Sequence, residues 1–237
     1  MTQPTIAVLG TGAIGTFYGV KLALAGYDVH FLARSEYAAI KENGLCINSP
    51  KAEVLKLNPV NVYRDVEQMP ACDWVLVSTK TTANEELAPL IDRMTAFGGT
   101  VVLMQNGLGI EDELRPLLRE DIHLFGGLCF ICVHRTLPGV IEHEAYGGVN
   151  LGYRAGDVKE AALAEQGASM FTQAGIDCKA IELEKARWQK LVWNVPYNGL
   201  SVVLDANTSS MMDNPSCLAL IRDLMQEVVD AAEACGH

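Results

Sequence analysis

Several features that mark particular classes of protein are missing from this sequence. No apolar run reaches the ~18 residues that a membrane-spanning helix needs. The N-terminus has no basic segment followed by an apolar stretch and a small-residue cleavage site, so we predict no signal peptide. Basic residues are in the minority: 18 Lys and Arg stand against 29 Asp and Glu, which gives a formal net charge of −11. Because this charge repels polyanions, we expect neither nucleic acid nor an anionic membrane as a partner.

The cysteine pattern argues against a disulfide framework. The seven cysteines are odd in number and scattered, which favours reduced thiols and a cytoplasmic location. Cys129 and Cys132 form a CxxC near His134, but the segment resembles a buried strand and the chain offers no second ligand pair. Since zinc prefers four converging ligands, we expect no metal site.

What the sequence does have is the alternation of strand and helix patterns typical of an α/β protein. The chain of 237 residues is 49% hydrophobic, enough for a sizeable core. Short apolar runs predict buried strands, and helical patterns separate them, so we predict a Rossmann-type doubly wound sheet over residues 1–181. From residue 182 to 237 the pattern is helical only, which predicts a second, short all-α domain. The most distinct strand predictions are 5–9, 28–33, 73–78 and 100–104.

A glycine motif directly follows the first predicted strand. Gly10, Gly12 and Gly15 form GxGxxG, with Ala13 and Ile14 inside it, and a helix pattern begins at this point. The spacing gives a tight turn, close access to a pyrophosphate and a helix N-terminus pointing at it. We therefore predict a dinucleotide site that includes all five residues. The alternative is a tight strand–helix turn without a ligand.

The end of the second predicted strand indicates which dinucleotide binds. NAD-preferring sites place Asp or Glu about 20 residues after the motif, on the ribose 2′-hydroxyl. This chain has Arg34 at that position. Because a guanidinium pairs with a 2′-phosphate that a carboxylate would repel, we predict NADPH as the cofactor. The alternative is a surface arginine with no role.

Two further predicted strands end in polar residues. Lys80 follows the strand at 73–78, and Asn106 follows the strand at 100–104. Ligands bind beyond the carboxyl ends of such strands, so either residue suits a cofactor or substrate contact. The alternatives are a loop lysine and a turn residue beside glycine.

A polar stripe runs along the first helix of the second domain. Lys190, Asn194 and Asn198 are spaced four residues apart, while the rest of the helix is apolar almost all round and is predicted to be largely buried. Burial lowers the pKa of a lysine, which suits a general acid. Alternatively, Lys190 extends to the surface or pairs with Glu184 or Glu182.

Together these motifs resemble the ketopantoate reductase family. Four elements match in order and spacing: GTGAIG at 10–15, STK at 78–80, QNGLG at 105–109 and RWQKLVWN at 187–194. The resemblance covers essentially the whole chain. It implies an NADP-dependent oxidoreductase that reduces 2-dehydropantoate, or a related branched 2-oxo acid, to the 2-hydroxy acid in pantothenate and coenzyme A biosynthesis.

The resemblance also implies residue roles. Lys190 would donate the proton, with Asn106 as a second catalytic residue. Asn194, Asn198 and Lys80 would bind substrate, and Lys80 and Asn106 would also contact the cofactor.

Members of the family usually continue through several more helices, which supply a serine and a glutamate to the substrate pocket. We therefore expect the helical domain to be truncated relative to the family. The alternative function is that of a non-catalytic NADP(H)-binding sensor or partner protein.

We also expect a homodimer through an exposed apolar face of the last helix, formed by Leu218, Ile221, Leu224, Met225 and Val228.

Overall fold

The computed structural model describes residues 3–50, 52–154, 156 and 158–237, and strands alternate with helices through most of them. The chain divides into two units, Met1–Ile181 and Glu182–His237.

Within the described residues the strands of the first unit form one ten-stranded sheet. They are β1 (Thr5–Leu9), β2 (Asp28–Leu32), β3 (Leu45–Asn48), β4 (Leu55–Leu57), β5 (Asn61–Tyr63), β6 (Cys72–Val77), β7 (Thr95–Leu103), β8 (His123–Leu137), β9 (Val140–Tyr153) and β10 (Cys178–Glu182). The strand order is β4-β3-β9-β8-β7-β6-β1-β2-β5, with β10 beside β9. The segment from β8 to β5 is parallel, and β9 returns antiparallel to β8. The chain order reverses between β1 and β6, where ligands bind in open α/β sheets.

Five α-helices belong to the first unit and three to the second, as far as the described residues extend. They are α1 (Ala13–Leu24), α2 (Tyr37–Asn43), α3 (Asn84–Met94), α4 (Ile110–Leu114), α5 (Val158–Gln173), α6 (Leu183–Val203), α7 (Thr208–Met212) and α8 (Pro215–Ala234). None of the helices in this described part is both long enough and apolar enough to cross a membrane.

Both faces of the sheet are covered, as a doubly wound fold requires. Successive residues of a strand point to opposite faces. Val8 of β1 accordingly joins one buried cluster with Phe17 of α1 and Phe171 of α5. Leu9 joins a second cluster with Ile91 of α3. The predicted fold class, a Rossmann-type sheet followed by an all-helical unit, is thus confirmed.

Strand β9 is long and irregular. It is 14 residues long and pairs antiparallel with β8. The irregularity lies at Tyr146 and Gly147, which have positive φ values of 64° and 129°. A bulge lets a strand continue past residues that would otherwise end it.

The second unit is built on α6 and α8, and its last helix is capped at its N-terminus. The Asn214 side chain accepts hydrogen bonds from the backbone N–H groups of Ser216 and Cys217, and Pro215 occupies the first helical position. Ile221 of α8 packs with Tyr197 and Met211 in a buried cluster.

Two burial predictions for this unit are wrong. Ile221 and Val228, which we expected on an exposed face of α8, are buried. Helix α6 is not largely buried, because Trp193, Val202 and Val203 are 57%, 80% and 79% exposed. A helix that is apolar all round needs neighbours on every side. The described neighbours cover Tyr197 but leave Trp193, Val202 and Val203 of its C-terminal half exposed.

Candidate functional site

The glycine motif forms a tight turn between β1 and α1. Gly10 has a φ of +99°, in the region that favours glycine. Gly12 precedes α1 in extended backbone. A Cβ at Gly15 would lie 2.1 Å from the carbonyl oxygen of Gly10, whereas a Cβ at Gly12 would meet no described atom within 4 Å. Gly15 is therefore required by packing, and Gly12 leaves open space for a ligand beside the helix N-terminus.

A serine from the neighbouring strand holds this turn. The Ser78 hydroxyl, just after β6, lies 2.7 Å from the carbonyl oxygen of Gly10 and 3.1 Å from that of Leu9, and donates to them. Its backbone N–H donates to Leu9 as well, at 3.0 Å. Sequence reasoning noted Ser78 only as part of the STK motif, so this function of the hydroxyl was missed.

A cleft with a cavity volume of about 610 Å³ opens in front of the turn. Its wall includes the glycine turn at 10–12, the loop at 34–36 after β2, residues 64–66 after β5, Thr79 after β6, and Arg135 of β8. All of these belong to the first unit. The cleft therefore extends from a helix N-terminus, which favours a pyrophosphate, to a charged rim.

The rim carries three arginines. Arg34, the residue predicted to select the cofactor, lines the cleft and is exposed, as are Arg64 and Arg135. Sequence reasoning identified Arg34 from its place after β2 but missed Arg64 and Arg135. Arg64 had a comparable signal, since it directly follows β5, which is the next strand of the sheet.

The rim also holds a carboxylate that sequence reasoning missed. Glu36 is buried, with 7% of its side chain exposed, and it forms an ion pair with Arg135. Its other carboxylate oxygen accepts a hydrogen bond from the backbone N–H of Gly139 at 3.2 Å.

Lys80 and Asn106 lie where the sequence placed them, after β6 and β7, and both are exposed. A buried amide network joins the two loops. The side chains of Asn84 and Gln105 donate to each other at 3.0 and 2.7 Å, and Gln105 also donates to the carbonyl oxygen of Thr79 at 3.0 Å. The network fixes the residues immediately before Lys80 and Asn106.

In the second unit, Lys190, Asn194 and Asn198 all lie within the continuous helix α6. Their spacing places them along one stripe of that helix. Lys190 and Asn194 are half-buried, and Asn198 is exposed.

The cysteines offer no alternative centre. All seven are free thiols. Among the residues that the structure describes, no group of three or more His, Cys, Asp or Glu side chains is arranged to hold a metal ion. Burial raises the pKa of the Cys72 thiol to about 11 and that of Cys178 to about 12, so both remain protonated near neutral pH.

Comparison with known proteins extends these observations to both units. The family described as "Ketopantoate reductase PanE/ApbA" matches residues 6–156, and its C-terminal counterpart matches residues 182–237. A 2-dehydropantoate 2-reductase from Nostoc is 41% identical over 241 residues, which is 100% of this chain and 75% of the relative.

Solved structures of 2-dehydropantoate 2-reductases are also similar to this chain. The 2-dehydropantoate 2-reductase of Geobacter metallireducens superposes with a TM-score of 0.88 and 39% identity, over 96% of this chain and 75% of that one. The enzyme from Methylococcus capsulatus gives a TM-score of 0.84 and 36% identity, over 98% of this chain and 74% of that one. The chain therefore belongs to the ketopantoate reductase family.

Proposed function

We propose that this chain catalyses the NADPH-dependent reduction of 2-dehydropantoate to pantoate, a step toward pantothenate and coenzyme A. The observation that carries the proposal is the 41% identity to the Nostoc 2-dehydropantoate 2-reductase, which extends over the whole chain. Identity that covers both units supports a shared reaction, because the glycine turn and the lysine helix lie in different units.

The cleft of the first unit would hold the cofactor. The turn formed by Gly10, Gly12 and Gly15 would hold its pyrophosphate. The backbone N–H groups of Ala13 and Ile14 would donate to it, since the first N–H groups of a helix have no partner within the helix. The open space at Gly12 suits such a ligand, and the absence of a side chain at Gly15 lets α1 pack closely against the turn.

Arg34 binds the 2′-phosphate. It lines the cleft just beyond β2 and carries an exposed guanidinium. A guanidinium offers several N–H donors in a planar arrangement that fits a phosphate.

NADPH, when bound, supplies a hydride to the 2-oxo carbon of the substrate. The ammonium group of Lys190 donates a proton to the carbonyl oxygen as negative charge develops there. Asn106 serves as a second catalytic residue, because its amide both donates and accepts hydrogen bonds. Lys80 binds the anionic substrate and a cofactor phosphate, and Asn194 and Asn198 orient the substrate.

The test is turnover by the purified chain. We expect 2-dehydropantoate to cause oxidation of NADPH, followed by nicotinamide absorbance, with one pantoate formed for each NADPH consumed. NADH is run alongside and should react more slowly. A branched 2-oxo acid without the hydroxymethyl group, 2-oxoisovalerate, serves as the matched control. Bound NADPH that no 2-oxo acid oxidises would contradict the proposal.

We also propose a cytoplasmic location, supported by the seven free thiols, and self-association of the helical unit. The surface that supports self-association is the uncovered part of α6, with Trp193, Val202 and Val203, rather than the face of α8. Sedimentation velocity over a range of concentrations tests the second point. A single monomeric species at the highest concentration would contradict it.

A further inference from the structure

The loop after β2 places a carboxylate in the wall of the cofactor cleft. Glu36 lies two residues beyond Arg34 and lines the same cleft. In Rossmann sites that prefer NADH, a carboxylate near this position binds the ribose 2′-hydroxyl and disfavours a 2′-phosphate. Glu36 would thus oppose the cofactor preference that Arg34 indicates, unless its charge is compensated.

The compensation comes from the far end of the β8–β9 hairpin. Arg135 Nη1 donates to one oxygen of Glu36, and the backbone N–H of Gly139 donates to the other at 3.2 Å. The carboxylate side chain is 7% exposed, whereas the arginine side chain is 51% exposed and itself lines the cleft. Removing the partner of a buried charge leaves that charge uncompensated, which is more costly than losing an exposed pair.

The pair changes the charge balance of the rim. Arg34, Arg64 and Arg135 contribute three positive charges there, and Glu36 and Asp65 contribute two negative charges. A phosphate monoester brings about −1.5 to −2 charges at neutral pH. With Arg135 present the rim is net positive; without it the rim is neutral and the carboxylate of Glu36 is exposed to the ligand.

We propose that Arg135 is a determinant of cofactor specificity, because it neutralises Glu36 and thereby allows the rim to accept the 2′-phosphate of NADPH. This inference rests on the proposed function only for the identity of the cofactor. NADH carries a hydroxyl at this position, which a carboxylate does not repel, so NADH binding does not require Glu36 to be neutralised.

The test is cofactor binding by Arg135→Gln, measured by titration of nicotinamide fluorescence without substrate. We expect the Kd for NADPH to rise roughly tenfold or more, because the uncompensated carboxylate of Glu36 repels the 2′-phosphate. The Kd for NADH should not rise, because that carboxylate can accept a hydrogen bond from the ribose 2′-hydroxyl. Competition by 2′,5′-ADP, which carries the phosphate without the nicotinamide, should weaken to the same extent as NADPH. Arg154→Gln is the matched control: its side chain is 49% exposed and pairs with Asp112.

A double variant separates neutralisation from a general loss of positive charge. Glu36→Gln combined with Arg135→Gln removes both charges of the pair, so we expect the preference for NADPH to return most of the way to that of the unmodified chain. Equal effects of Arg135→Gln on NADPH and NADH would overturn the proposal, as would a double variant no better than the single one. These titrations need no turnover, so a chain that prefers NADPH but does not reduce 2-dehydropantoate contradicts only the proposed function.

Discussion

The two units of this chain support function in different ways. In the first unit the ligand site is made mainly by backbone: a turn in which one glycine leaves space and another permits contact, between buried clusters on both faces of a sheet. In the second unit the proposed chemistry depends on a few side chains along one helix, part of which is uncovered. The comparison teaches that changes at the glycine turn should affect cofactor binding and folding, whereas changes along the polar stripe of the second unit should affect turnover and leave cofactor binding unchanged.

The largest effect should come from Lys190→Ala. We expect kcat to fall by roughly 10²–10⁴-fold, the usual contribution of a general acid. The Kd for NADPH should not change, because the cofactor cleft belongs to the first unit. Steady-state rates and fluorescence titration measure the two quantities. Lys185→Ala, an exposed lysine on the same helix, is the control. If Lys190→Ala also lost NADPH binding, cofactor binding would not be independent of the second unit, contrary to this prediction.

Alanine at Gly15 and at Gly12 tests the two uses of glycine in the first unit. At Gly15 the added Cβ would lie 2.1 Å from a backbone oxygen, so unfolding free energy should fall by ~3 kcal/mol, as for severe overpacking, and NADPH binding should be lost. At Gly12 the Cβ enters open space, so the thermal midpoint should hardly move while NADPH affinity falls. Calorimetry and titration distinguish these outcomes. Equal destabilisation by both substitutions would contradict the assignment of Gly12 to the ligand.

Arg34→Asp tests the rim of the cleft, where we propose that a side chain, rather than the backbone, selects between NADPH and NADH. We expect the ratio of NADPH to NADH affinity to fall by roughly 10–100-fold, because a charged hydrogen bond is lost and a repelling carboxylate is gained. Titration with each cofactor measures the ratio. If the ratio stays constant, Arg34 does not contact the 2′-phosphate.

The smallest effect should concern stability in acid. Hydrogen bonds from the Arg119 side chain and from the backbone N–H of Gly98 lower the pKa of Asp121 to about 2. A carboxylate with a lowered pKa stabilises the fold above its ordinary pKa of about 4, and this contribution is lost as pH falls from about 4 to about 2. Asp121→Asn should therefore lower the urea midpoint of unfolding at neutral pH. Between about pH 4 and about pH 2, the midpoint of the variant should fall less steeply than that of the unmodified chain. Asp223→Asn, on an exposed part of α8, should do neither.

The features that the sequence predicted correctly are formed by residues that lie close together in the chain. The glycine turn, the strand before it and the place of Arg34 follow from residues close together in the chain. The pair of Glu36 with Arg135 was missed because it joins residues 99 positions apart, which only the β8–β9 hairpin brings together.

Errors arose where one pattern fits two structures. The apolar character of α6 predicts burial, but burial depends on neighbouring helices that a periodic pattern does not reveal.

The hydroxyl of Ser78 has a consequence for the thermodynamics of association. Because it ties the carbonyl groups of Leu9 and Gly10 to β6, the turn has its binding shape before a dinucleotide arrives. A preorganised loop loses little conformational entropy on binding, so more of the interaction energy appears as affinity. Ser78→Ala should consequently make the binding entropy less favourable in calorimetric titration, although the two hydrogen bonds described for the hydroxyl go to the protein's own backbone.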